Sequence, residues 1–359
     1  MMKRNILILI ILAALILPVA TLAAKLETAT IDGLNYSFFD DVATVEASTY
    51  RKSVLTIPPA VSYNGRVYIV EAIAPNAFKS NTYITKVELP STLLTIGTSA
   101  FQGCRVASIN LPFGLTDIGS YAFASTYLTY VTIPTTAVGL GSHIFYNCQR
   151  LTGASVLSNI GTLPSYMFYN CVNLTTVTLP SMLTGIGDHC FMRCNNLRAV
   201  PSTSSMTTIG ASAFEHCPLI DEVELTLNIE KIGSRAFADN AQITSIVVRP
   251  MTPPTLASDA FDKEVMRNAL TVVPTGTKSL YKRASVWASF GKLREVDEVI
   301  IRGDVNDDGS IDSSDVSILM EIILAGTGGE INLAADVNNN GTIDSTDLAA
   351  LLEIVLEQQ

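Results

Sequence analysis

Two short stretches near the C-terminus carry oxygen-bearing side chains at a spacing that suits a hard cation. The first runs Asp304-Val305-Asn306-Asp307-Asp308-Gly309-Ser310-Ile311-Asp312-Ser313-Ser314-Asp315. It sets Asp304, Asn306, Asp308, Asp312 and Asp315 at positions 1, 3, 5, 9 and 12 of a 12-residue loop, with the Ser310 carbonyl at position 7. Gly309 falls at position 6, where such a loop turns sharply, and Ile311 at position 8 can pack inward. The second copy starts 32 residues later and sets Asp336, Asn338, Asn340, Thr342, Asp344 and Asp347 at positions 1, 3, 5, 7, 9 and 12. Ca²⁺ gathers roughly six to eight oxygens, and carboxylates alternating along a curved chain supply them. The reading is therefore two Ca²⁺ ions, one per loop. Four of the first loop's ligands are carboxylates against three in the second, where Asn340 stands in for an acid. Ligand charge tunes affinity, so the first loop is expected to bind more tightly.

Other chemically able residues are few. The chain has three His and six Cys. Cys148, Cys171, Cys194 and Cys217 recur at a nearly constant interval, and Cys104 shares their local pattern. Such a row reads as an internal ladder serving turn backbone groups; disulfides are the alternative open to an exported chain. His189, Cys190, Cys194, His216 and Cys217 also form a set that zinc could use, although the interval already accounts for them. No Gly-rich phosphate loop or nucleophile elbow is present. No catalytic residue is assigned and no enzyme is expected; a hydrolase remains the remote alternative.

The cation loops need elements to hold them. Val316, Leu319, Ile322 and Ile323 repeat at helical spacing after the first loop, as do Leu348, Leu351, Leu352 and Val355 after the second. Asp312 and Asp344 stand where N-caps belong. No periodic helix precedes either loop. Loop plus exiting helix, twice, with Asp rather than Glu at position 12, resembles a type I dockerin, a small α-helical domain with two EF-hand-like loops. That resemblance implies docking onto a cohesin domain of a scaffold protein. It also implies that positions 10 and 11, here Ser313, Ser314, Ser345 and Thr346, help select the partner. Some dockerins carry Lys or Arg near position 18, whereas this chain has Glu321 and Glu353.

The rest of the chain repeats. Nine of the 13 Phe form a ladder at intervals of 22 to 24 residues: Phe78, Phe101, Phe123, Phe145, Phe168, Phe191, Phe214, Phe237 and Phe261. Ile or Leu lies five residues before each, and Gly follows that residue in six of nine cases. Here Gly is read as a turn that uses positive φ. A short strand follows each Phe, as at Leu174, Val177 and Leu179, and Pro often closes it. A unit this small cannot bury its own core, so neighbours must stack into a solenoid.

The segment Ile96-Gly97-Thr98-Ser99-Ala100-Phe101-Gln102-Gly103-Cys104 resembles the leucine-rich repeats of the BspA-like family. The resemblance implies a leucine-rich repeat solenoid of parallel β-strands with an irregular convex side. It divides the chain into a signal peptide (1–24), an N-terminal β-hairpin cap (25–72), nine repeats (73–262), a C-terminal cap built on Tyr281, Trp287 and Phe290 (263–298), and the dockerin-like domain (299–359). By strand offset the outward face holds Lys86, Glu88, Ser108, Asn110, Tyr130, Thr132, Thr176, Thr178, Glu222 and Glu224. With one aromatic among them, it is read as a surface for a protein ligand rather than a polysaccharide.

Charge sharpens the division. The formal net charge is −10, yet Arg302 to Gln359 holds 12 acidic residues and one basic, a net of −11. The remaining 301 residues come to +1, and such a balance excludes nucleic acid as a partner. Lys3, Arg4, the apolar run Ile6 to Leu17 and the small residues to Ala24 read as a cleaved export signal, with no membrane span left after cleavage. The combined expectation is a secreted or surface-displayed, non-catalytic interaction protein, tethered by its dockerin to a scaffold such as that of a polysaccharide-degrading complex. The alternative is a surface adhesin of BspA type with a calcium-stabilised end domain.

Overall fold

The computed structural model describes residues 27–296, 302–306, 310–325, 334–338, 340 and 342–357. The expected signal segment lies outside the described residues. The N-terminal part is antiparallel: Glu27–Ile31 pairs with Leu34–Phe39, which pairs with Val42–Val45, and Ala60–Tyr63 pairs with Arg66–Ile73. Val42–Val45 then runs parallel to Arg66–Ile73, which leads into the repeats. Tyr36, Phe38 and Tyr68 are buried there and close this end of the core.

Most coils contribute a strand to a parallel ribbon, as the sequence leads one to expect. Lys86–Glu88, Tyr130–Ile133, Glu222–Leu225 and their neighbours pair in register with the next coil. The ribbon breaks between Ser108–Ile109 and Tyr130–Ile133, and again between Thr176–Thr178 and Glu222–Leu225. Pro201 falls at a strand position in the coil between them, where it has no N–H to give the ladder.

A second parallel ribbon accompanies the first. Thr95–Ile96, Asp117–Ile118 and Gly139–Leu140 pair successively, and Thr162–Leu163, Gly185–Ile186, Thr208–Ile209, Lys231–Ile232 and Thr255–Leu256 do the same. The Ile or Leu five residues before each Phe closes these two-residue strands.

The glycine after that residue does a different job from the one expected. Gly97, Gly119 and Gly187 have no positive φ. A Cβ there would lie 2.5 Å from Pro75 N, 2.4 Å from Thr98 N and 2.6 Å from Leu163 O respectively. Glycine is required by the close approach of consecutive coils. Positive φ falls instead two residues before and two after the Phe. Tyr121 (60°) and Ser125 (57°) flank Phe123, and His189 (56°) and Arg193 (63°) flank Phe191. Backbone hydrogen bonds to the next coil hold these left-handed turns, as in Tyr121 N to Ser142 O at 3.0 Å and Phe123 N to Ile144 O at 3.0 Å.

The nine Phe rings sit at 2 % exposure or less. Consecutive rings stack with centroids 4.8 to 5.7 Å apart. Each pair adds about 0.5–1.5 kcal/mol beyond simple burial. The last ring meets Phe290 edge-on at 6.0 Å. Trp287 Nε1 donates to Pro254 O at 2.8 Å and Tyr281 Oη to Pro250 O at 2.7 Å, so the aromatic cap covers the final coil without stranding a polar atom. The cap includes two short helices, α1 (Lys263–Asn268) and α2 (Lys278–Arg283), and an edge strand, Lys292–Glu295.

The acidic tail holds two longer helices, α3 (Ser313–Ala325) and α4 (Ser345–Glu357). Their core is small: Val305, Leu319, Ala335, Val337 and Leu351 are buried, with Ile311, Ile322 and Ile354 packed against them. Leu352, one of the four apolar residues at helical spacing after the second loop, is 42 % exposed.

Candidate metal centre

Both loops curl around the carboxylate at position 12. Asp315 Oδ1 accepts from Val305 N at 2.7 Å and Asn306 N at 3.0 Å, and Oδ2 accepts from Asp312 N at 2.9 Å. Asp347 repeats the arrangement, with Asn338 N at 3.2 Å and Asp344 N at 2.9 Å. Asp315 and Asp347 are fully buried, and Asp304 and Asp336 at position 1 are nearly so.

Position 9 caps the following helix. Asp312 Oδ1 accepts from Ser314 N at 2.7 Å and Asp344 Oδ1 from Thr346 N at 2.7 Å. The Ser314 and Thr346 hydroxyls donate to the same oxygens, and together these bonds hold both carboxyls below their ordinary pKa. Ser314 Oγ also accepts from Asn306 Nδ2 at 2.8 Å, and Thr346 Oγ1 from Asn338 Nδ2 at 2.7 Å. The position 11 hydroxyls thus brace the loop that feeds their helix. Ser313 and Ser345 at position 10 are exposed. In the second loop Asn340 N donates to Asp336 Oδ1 at 2.9 Å, and Asn340 Oδ1 accepts from Thr342 N at 2.8 Å. Ser310 is exposed, and Asp308 lies outside the described residues.

Among the described residues no three His, Cys, Asp or Glu side chains are drawn together tightly enough to hold a metal ion. The donor set nevertheless fits Ca²⁺. It is all oxygen, it buries four carboxylates, and it lies in a segment with one basic residue. Burying carboxylates is costly unless they are hydrogen-bonded or paired with a cation.

The cysteine and histidine set is structural. All six Cys are buried free thiols. Cys148, Cys171, Cys194 and Cys217 each donate to a Phe carbonyl of an earlier coil at 3.1 to 3.2 Å, and Cys104 does so at 2.9 Å. Asn240, in the same slot, donates to Phe214 O at 2.7 Å. Burial pushes the Cys104 and Cys148 thiols up to about 11 and Cys217 to about 12, so they stay neutral. His143 stacks between Tyr121 and Tyr166 at 4.3 Å from each, and burial followed by its neighbour His189 lowers its pKa. His189 Nδ1 faces Met192 Sδ at 3.4 Å.

The sequence did not disclose an apolar surface on the tail. Met320 and Leu324 on α3 are 46 % and 79 % exposed, and Leu352 and Leu356 on α4 are 42 % and 67 % exposed. They occupy matching places in the two copies, with exposed Glu321 and Glu353 beside them. Their helical spacing was visible in the sequence, but only the fold separates the buried face from the exposed one.

Residues 71–198 and 161–280 match the family described as BspA type leucine rich repeat region, in six copies. Residues 302–356 match the dockerin type I domain. No curated protein matches the chain. Among solved structures, a leucine-rich repeat protein from Bacteroides ovatus is 19 % identical, with 77 % of this chain and 86 % of that one covered and a TM-score of 0.43. A T. pallidum leucine rich repeat protein is 24 % identical, with 56 % and 90 % covered and a TM-score of 0.45. A leucine rich cell surface protein from Faecalibacterium prausnitzii is 18 % identical, with 76 % and 95 % covered and a TM-score of 0.32.

Proposed function

The chain belongs to the BspA-type leucine-rich repeat family and carries a type I dockerin domain, and on that premise we propose that its tail docks, in calcium, onto a cohesin-bearing scaffold while its repeats display a ligand-binding face. Repeats and dockerins are non-catalytic interaction modules, and proteins built from them are typically extracellular or surface-associated. Type I dockerins generally bind calcium, and dockerins typically bind cohesins. Among the described residues no helix is long and apolar enough to cross a membrane.

The observation that carries the docking reading is the pair of matching apolar surfaces on α3 and α4. Exposed Met320 and Leu324, and exposed Leu352 and Leu356, are the kind of large side chains that a partner's groove covers. Position 10, Ser313 and Ser345, lies at the start of the same helices, and Ser314 and Thr346 follow.

Two Ca²⁺ ions hold the loops, one on Asp304, Asn306, Asp308, Ser310, Asp312 and Asp315, the other on Asp336, Asn338, Asn340, Thr342, Asp344 and Asp347. The ion supplies the positive charge that lets each group of acids stay buried together, and it is the reason for calcium dependence. The domain limits read from the sequence mark where display ends and docking begins. On the array, the outward row from Lys86 through Tyr130 to Glu224 meets a protein ligand. The whole would serve a scaffolded extracellular complex, including one that degrades polysaccharide.

The test is binding of the full chain to a panel of purified cohesin domains, in calcium and in chelator. Capture in calcium that chelator abolishes supports the reading. A folded, calcium-loaded chain that binds no member of the panel counts against it.

A further inference from the structure

The two loops are copies, but the residues leading into them differ. Loop one is entered through Arg302-Gly303, and loop two through Ala334-Ala335. Gly303 takes a φ of +100°, which favours glycine, and a Cβ there would lie 3.1 Å from Leu351 Cδ1. Gly303 N donates to Ala334 O at 2.9 Å, pinning the entrance of the first loop against that of the second. This turn carries the Arg302 guanidinium across to the other copy. It donates to the Asp336 backbone carbonyl and lies 3.7 Å from Asp336 Oδ2. Asp336 is position 1 of the second loop and only 2 % exposed. Arg302 is the one basic residue from 302 to 359. At the matching place before loop two stands Ala334, which has no charge to return to Asp304.

From this one-way contact we infer that Arg302 is a built-in counter-ion of the second calcium loop. It neutralises Asp336 when the loop lacks metal and competes with Ca²⁺ when metal arrives. The inference rests on the calcium reading of the loops and adds an asymmetry to it. The second site is weakened from two sides, by Asn340 in place of an acid and by a resident cation. The reciprocal gain is an entrance to the tail that stays clasped without metal.

Calorimetric calcium titration of the full chain, beside Arg302→Gln and Arg302→Lys variants, tests it. Arg302→Gln should tighten the weaker site by about threefold to tenfold, the scale of one partly exposed charge a few ångströms from a carboxylate. The stronger site should not move, and Arg302→Lys should stay near the parent. An Arg302→Gln chain whose weaker site is unchanged or looser overturns the inference. So does one whose tail loses its helical signal in saturating calcium, because metal should make the guanidinium dispensable. If the parent binds no calcium at either loop, the calcium reading fails and the inference falls with it.

Discussion

The repeat array and the tail reach order by opposite means. In the array every coil brings a stacked Phe, eight of nine bring a Cys, Thr or Asn three residues later, and six of nine bring a glycine that admits its neighbour. The net charge there is close to zero, and the coil interior is filled by its own stacked rings and hydrogen-bonded thiols. In the tail a core cluster of five buried apolar side chains accompanies four buried carboxylates within a segment of net −11. Redundancy stabilises the first region, whereas the second carries an excess of negative charge that suits a cation. Nearest-neighbour stacking predicts an array insensitive to metal, whereas coupled binding and folding predicts a tail governed by it.

The sharpest way to break this contrast is to damage the array and look for an effect on the tail. Phe168→Ala opens a cavity between Phe145 and Phe191, and chemical denaturation should show a loss of about 3–5 kcal/mol. Calcium affinity should not change; a parallel loss of calcium binding would mean that the regions are energetically one. Gly119→Ala should cost about 1–3 kcal/mol, because its Cβ meets Thr98 backbone atoms that cannot move aside. A neutral result would return the glycine to a simple turn role.

Alkali should separate the regions in a graded way. The Cys104, Cys148 and Cys217 thiols are raised from 9.0 to about 11, 11 and 12 in the fold. Their stabilising contribution is complete below the unfolded value. It fades as pH rises from about 9 through the folded values, where the unfolded chain ionises first. Denaturation midpoints across that range should fall, and Cys148→Thr, which copies the Thr126 solution, should flatten the fall. The smallest expected difference lies inside the tail. Asp304→Ala should remove the tighter calcium site and Asp336→Ala the weaker one, with about tenfold, or about 1.4 kcal/mol, between them by calorimetry.

How much of this could be read from the chain differs between the regions too. The Phe ladder fixes the coil and its interior, because only a stacked repeat puts one ring in every 22 to 24 residues. The second ribbon is hidden, since strands of two residues such as Thr95–Ile96 leave no alternation. The left-handed turns are hidden as well. Tyr121, Tyr166 and Arg193 hold positive φ with side chains that ordinarily avoid it, held by hydrogen bonds to the next coil. In the tail, ligand spacing discloses the loops and their capped helices. It does not disclose that Ser314 and Thr346 brace those loops, that Leu352 faces outward, or that Arg302 reaches Asp336. The brace depends on how each loop curls, and the last two on how the two copies meet.

One measurement addresses the contrast directly: amide hydrogen exchange of the full chain in calcium and in chelator. The expected result is loss of protection in α3 and α4 with chelator, while the amides of the stacked coils around Phe101 to Phe237 keep theirs. Helices that stay protected without calcium, or coils that lose protection together with the helices, would contradict a self-sufficient array carrying a metal-ordered docking tail.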